Sequence, residues 1–187
     1  MAQYFEVHPE NPQARLVSQV AAVVRSGGVV VYPTDSGYAF GWAIGDKTAQ
    51  DRIRLIRRLE HSHDFTLVCR DLSEISTYAK VGNTAYRLMR GATPGPYTFI
   101  LQATHEVPRR LQDPKRRTIG LRVPDNRIAR AILDALGEPL MSSSLVLPGD
   151  EMPLTDPEEI RDRVGKQVDL IVDGGFCGYE PTTVVDL

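Results

Sequence analysis

Residues 27–45 read Gly-Gly-Val-Val-Val-Tyr-Pro-Thr-Asp-Ser-Gly-Tyr-Ala-Phe-Gly-Trp-Ala-Ile-Gly, and this stretch limits the fold more than any other in the chain. Gly27 and Gly28 stop a preceding helix. The β-branched run 29–31 suits a buried strand, and Pro33-Thr34-Asp35-Ser36-Gly37 makes a dense polar turn before apolar residues resume. A turn at the end of a rigid strand is a good place for binding chemistry, because hydroxyls, a carboxylate and close-approach glycines sit there on firm support. It also serves as a plain connection, and these residues alone leave both readings open.

The chain around it has 187 residues and is 42% apolar, enough for a real core. One domain over 1–187 is expected. The sequence has no run of 18 apolar residues and no charged-then-apolar leader, so a membrane is not expected and cytoplasm is. Cys69 and Cys177 stand apart, without the spacing of a zinc site or a disulfide framework, and read as buried thiols. The net charge of −2 hides an asymmetry: residues 1–149 carry 19 Lys/Arg against 14 Asp/Glu, and residues 150–187 carry 3 against 10. Two basic clusters, Arg52/Arg54/Arg57/Arg58 and Arg109/Arg110/Lys115/Arg116/Arg117/Arg122, fit solvated faces or an anionic ligand such as a nucleotide or RNA.

Taken in order, Asn11-Pro12 reads as a helix entry, and Val17, Val20, Ala21 and Val24 give it a core stripe. A second helix runs from Thr48 to near Leu59. The loop 60–64 follows and hands over to a strand at 65–69. His61, His63 and Asp64 invite a metal reading, but they lack a fourth ligand and helical spacing, so an exposed turn is expected and no metal site. A short helix over 83–89 and strands over 97–101 and 118–123 come next. On the last of these Thr118, Gly120 and Arg122 share a face, pointing away from Leu121 and Val123. An arginine so placed is a snorkelling edge residue or a clamp for a carboxylate or phosphate. Helix 128–136 closes at Gly137, strand 139–147 carries three hydroxyls, and Asp156-Pro157 caps a further helix. Strands over 170–173 and 181–187 complete an α/β chain with a twisted mixed sheet and flanking helices. With no Gly-x-Gly-x-x-Gly after a strand and no P-loop, scattered hydroxyls and arginines would have to hold any nucleotide.

Four blocks give the chain a family resemblance: 33–41 (Pro-Thr-Asp-Ser-Gly-Tyr-Ala-Phe-Gly), 93–98 (Thr-Pro-Gly-Pro-Tyr-Thr), 119–124 (Ile-Gly-Leu-Arg-Val-Pro), and Asp173-Gly-Gly with 182–187 (Thr-Thr-Val-Val-Asp-Leu). In this order they resemble the YrdC/YciO proteins, and in detail the YciO branch. The resemblance implies a deep basic cavity holding ATP or AMP and L-threonine, with bicarbonate as a further substrate and magnesium accompanying ATP, for synthesis of threonylcarbamoyl-AMP in tRNA modification. It places Thr34, Arg122, Ser142 and Thr182 near threonine, and Arg57, Thr118 and Ser144 near ATP. No catalytic residue is singled out.

The chain also departs from the family. The synthases carry Lys-x-Arg and Ser-x-Asn around the nucleotide, where this chain has Arg57-Arg58-Leu59 and Ser144-Leu145-Val146. Each lost polar contact to a phosphate costs about 1.5–3 kcal/mol, so weak or altered activity is expected. Cys69 stands where many relatives have histidine, and the family pattern continues beyond the Val-Val-Asp-Leu block with a strand and an arginine. The competing expectation is a protein that binds double-stranded RNA, tRNA or nucleotide without efficient chemistry, with Arg109, Arg110, Lys115, Arg116 and Arg117 on the phosphates.

Overall fold

The computed structural model describes residues 1–61 and 63–187, so Ser62 of the expected loop 60–64 lies outside the described residues. The strands are β1 (Gln3–Glu6), β2 (Val30–Thr34), β3 (Gly37–Ala43), β4 (Thr66–Val68), β5 (Tyr97–Gln102), β6 (Thr118–Arg122), β7 (Leu140–Ser144), β8 (Leu170–Asp173) and β9 (Thr183–Asp186). The helices are α1 (Ala14–Arg25), α2 (Lys47–Arg57), α3 (Leu72–Tyr78), α4 (Asn83–Ala92), α5 (Arg127–Leu136) and α6 (Pro157–Val164), with a 3₁₀ turn at Arg109–Leu111.

All nine strands join one sheet in the order β1-β8-β2-β3-β7-β4-β6-β5-β9. Pairing is parallel at β1/β8, β2/β8, β4/β6 and β5/β9 and antiparallel at the other four contacts, the mixed sheet expected. Alternation along β2 sends Val30 and Tyr32 to one face, under α1 and α5, while Val31 joins Phe40, Trp42, Ile53 and Ile160 on the other. The α1 stripe Val17, Val20, Ala21 and Val24 and the α5 stripe Ile128, Ile132, Leu133 and Leu136 pack on the first face. These helices cover β8, β2 and β3. The outer strands β4, β6 and β5 lie beyond them, and the cavity described below opens there.

Several local expectations are corrected. Helix α1 does not start at Asn11-Pro12: its N-cap is Gln13, without a side-chain cap, because the His8 ring ties up the backbone N–H groups of Glu10 and Asn11 in a separate turn. Pro33 and Thr34 belong to β2, so the turn shrinks to Asp35-Ser36 between the paired residues Thr34 and Gly37. The second helix is capped by Asp46, one residue earlier than expected, and α4 runs on to Ala92. Strands β1 and helix α3 are additions. Cys69 is buried, whereas Cys177 is only half-buried, and both are free. No helix among the described residues is long and apolar enough to cross a membrane.

Candidate functional site

The hairpin turn is built by its own hydroxyls. Thr34 Oγ1 donates to Gly37 O at 2.6 Å and accepts from Ser36 N at 2.9 Å, and Gly37 sits at φ +85°, where an L side chain would be strained. Tyr179 bridges to Ser36, whose Oγ donates to Glu180 O at 2.7 Å, so the segment before β9 is laced over the turn.

Register then gathers one face of six strands. Ala39 pairs with Ser144, Thr66 with Ser142 and with Gly120, Val68 with Arg122, and Thr98 with Val184. With period-two alternation these side chains border a cavity of about 430 Å³, whose lining includes Tyr32, Thr34, Arg57, Arg122, Ser142, Ser144, Val146 and Thr182. Gly120 keeps its floor open, since a Cβ there would sit 3.3 Å from Thr98 Cγ2.

Arg122 is the charged group on that floor, only 8% exposed. Its Nη2 donates to Asp35 and to Ser36 Oγ, while its buried Nε has no partner among the described residues. Burial lowers the pKa of this guanidinium, the usual cost of desolvating a charge. Thr182 Oγ1 joins Ser36 Oγ at 3.1 Å, and Ser142 Oγ meets the Tyr32 hydroxyl at 2.7 Å and donates to Phe40 O at 2.9 Å. Burial pushes Tyr32 up to about 12, so it stays a neutral phenol. Arg57, at the end of α2, crosses to β7 and donates Nε to Val146 O at 2.9 Å and Nη1 to Ser143 Oγ at 2.6 Å.

Of the residues singled out in the sequence, Thr34, Arg122, Ser142, Thr182, Arg57 and Ser144 therefore meet around one space. Thr118 does not: it shares Arg122's face of β6 but lies four residues away, about 13 Å along a strand. Val146 lines the cavity, whereas Leu59 leans against the core and stays out of the lining. The basic segment splits as well. Arg109, Arg110 and Lys115 border a second cleft of about 460 Å³, which shares His63, Asp64 and Phe65 with the first cavity. Arg116 is instead committed to Asp186 through two hydrogen bonds of 2.7 and 2.8 Å, a pairing that its sequence position gives no sign of. Arg117 adopts a left-handed backbone at φ 59°. Among the described residues, no group of three His, Cys, Asp or Glu stands ready to hold a metal ion. Sequence reading missed Asp35 as Arg122's partner, Tyr32 as Ser142's, and Tyr179 as part of the wall.

The same architecture recurs in known proteins. A Haemophilus influenzae protein is 64% identical over 188 residues, covering all of this chain and 91% of its own. The crystal structure of Escherichia coli YciO is 62% identical with a TM-score of 0.95, covering 100% of this chain and 91% of that one. A crystal structure of P. abyssi Sua5 complexed with L-threonine shares the fold, at TM-score 0.88 and 24% identity, over 98% of this chain and 54% of that longer one. The Sua5/YciO/YrdC family model, described as telomere recombination, matches residues 22–187. The chain belongs to the Sua5/YciO/YrdC family.

Proposed function

We propose that the cavity binds L-threonine and ATP and makes threonylcarbamoyl-AMP slowly, its threonine side intact and its phosphate side depleted. The observation that carries this reading is Arg122, a largely buried guanidinium on the cavity floor, ringed by the hydroxyls of Thr34, Ser142 and Thr182. A guanidinium suits a carboxylate, and small hydroxyls around it suit a small polar amino acid. The family relationship and the threonine bound by P. abyssi Sua5 in the same fold support the choice of amino acid.

In the proposed reaction threonine and bicarbonate lose water to give the N-carboxylate. A carbamate oxygen then attacks the α-phosphorus of ATP, and the bond from that phosphorus to the β-bridging oxygen breaks, releasing pyrophosphate. This needs alignment and charge neutralisation more than a covalent nucleophile. Arg57, held by Val146 O and Ser143 Oγ, and Ser144 stand on the nucleotide side. Magnesium would enter with ATP; Asp64 and Glu151 are the carboxylates of the lining, few enough to suit a metal carried on phosphate and water. Threonine- and bicarbonate-dependent pyrophosphate release from ATP tests the reading: a slow rate needing all three substrates supports it, and none at saturating substrate overturns it.

A second reading, duplex RNA binding, is favoured by the cleft that continues from the cavity past Phe65. Arg109, Arg110 and Lys115 would meet phosphates there with little base preference, since no row of exposed aromatics accompanies them among the described residues of the cleft.

A further inference from the structure

We infer that Asp35 is a positioning residue for the ligand's carboxylate, gripping Nη2 of Arg122 from outside the cavity so that the guanidinium stays on the floor with Nη1 left for the ligand. The inference rests on the threonine reading of the cavity. Thr34, Ser36 and Arg122 all line the space, but Asp35, set between the first two, does not. Its carboxylate therefore meets Arg122 from the far side of the floor. One oxygen accepts from Arg122 Nη2 and the other from Asp125 N at 3.0 Å, so a single side chain fastens the β2/β3 turn to the exit of β6. The turn itself is fixed by the Thr34 hydrogen bonds and by Glu180 N, which donates to Asp35 O at 3.1 Å.

The consequence lies in what remains unpaired. Ser36 Oγ shares Nη2 at 3.1 Å, and the buried Nε has no partner among the described residues. Arg122 lines the cavity, so Nη1 is the nitrogen left to donate to an incoming carboxylate oxygen. Without Asp35 the guanidinium would be an uncompensated buried charge, and swinging toward solvent would be its cheapest relief. Asp35 thus acts on the ligand only through Arg122, as outer-shell carboxylates act through the groups they orient.

The experiment uses the full chain and the variants Asp35→Asn and Asp35→Glu, with L-threonine as the calorimetric probe and the Arg122 Nε–H signal in nitrogen-15 spectra. Asn keeps an oxygen for Asp125 N but removes the charge, and is expected to weaken threonine binding about 10- to 100-fold, the range found for outer-shell partners. Asp35→Glu retains the charge and should recover part of that loss. The parent Nε–H signal should be sharp and move on threonine addition, and in Asp35→Asn it should broaden. Threonine binding by Asp35→Asn as tight as the parent's, or Asn and Glu variants of equal affinity, would overturn the assignment. If the parent itself fails to bind threonine, the amino-acid reading falls on its own. The Nε–H signal then still decides the positioning role: broadening in Asp35→Asn supports it, and an unchanged line refutes it.

Discussion

Replacing Arg122 by lysine tests whether the donors of the guanidinium, and not merely its positive charge, hold the ligand. The guanidinium spends Nη2 on Asp35 and Ser36 and keeps Nε buried, which leaves the two N–H bonds of Nη1 for a bound ligand. An ammonium has three hydrogens; if Asp35 and Ser36 take two, one is left for the ligand where arginine offered two. The net loss is one charge-assisted hydrogen bond, about 1.5–3 kcal/mol, or about a 10- to 150-fold rise in Kd. Titration of L-threonine by calorimetry measures it directly, with a thermal melt to show that Arg122→Lys still folds. A lysine variant that folds and binds threonine within about threefold of the parent would mean that charge alone suffices, and the argument from donor number would fail.

On the nucleotide side, Val146→Asn should raise threonine-dependent pyrophosphate release about tenfold by adding a donor beside Arg57. Leu59→Arg should add nothing in the double variant and should lower Tm, because Leu59 packs on the core; a double variant faster than Val146→Asn would contradict this placement. For RNA, the pair Arg109→Ala with Arg110→Ala should weaken duplex binding across sequences and reduce the salt slope by about two, while Arg116→Ala, already paired with Asp186, leaves both unchanged; the opposite pattern would move the interface elsewhere. His63 is held below its ordinary pKa of 6.5 by burial and by Arg57 and Arg54, against the pull of Asp64. The unfolded chain therefore takes up that proton first, so this stability is complete above pH 6.5 and declines as pH falls toward the folded pKa. His63→Asn should flatten Tm against pH in that window, and an unaltered slope would refute the assignment.

How far the sequence could be read depends on the distance over which each feature is decided. The core stripe of α1, helix α5 with its Gly137 boundary, the Asp156-Pro157 boundary and the buried run into β2 are settled by near neighbours, and they stand where local pattern puts them. Strand β1 and the seven-residue α3 are short and owe their existence to remote partners, β8 for the first and a core contact through Ile75 for the second, which no local pattern announces. Pro33 is the more instructive miss, because proline in an inner strand normally argues against the strand. Thr34 and Gly37 close the hairpin, so the next pair, Pro33 and Tyr38, turns its N–H positions outward. On that side β8 pairs only with Val30 and Val31, leaving no carbonyl for an amide at 33 to meet.

The site divides by the same rule. Period-two alternation put Arg122 on the face opposite Leu121, and the structure puts it on the cavity floor; it also put Thr118 on that face, yet direction along the strand, not face, keeps Thr118 outside. The cluster 52–58 looked like one basic patch, but a helix turns about 100° per residue, so its members part company. Arg52 reaches Asp169, Arg54 covers Phe65, and only Arg57 enters the cavity. Charge counts along a sequence therefore overstate the free positive charge of this protein. Arg116, Arg52 and Arg122 each meet a carboxylate from a distant element, at Asp186, Asp169 and Asp35. For Arg122 that neutralisation narrows the chemistry: a paired guanidinium attracts anions weakly at long range, so its selectivity must come from donor geometry at contact, which favours a planar carboxylate over a diffuse polyanion.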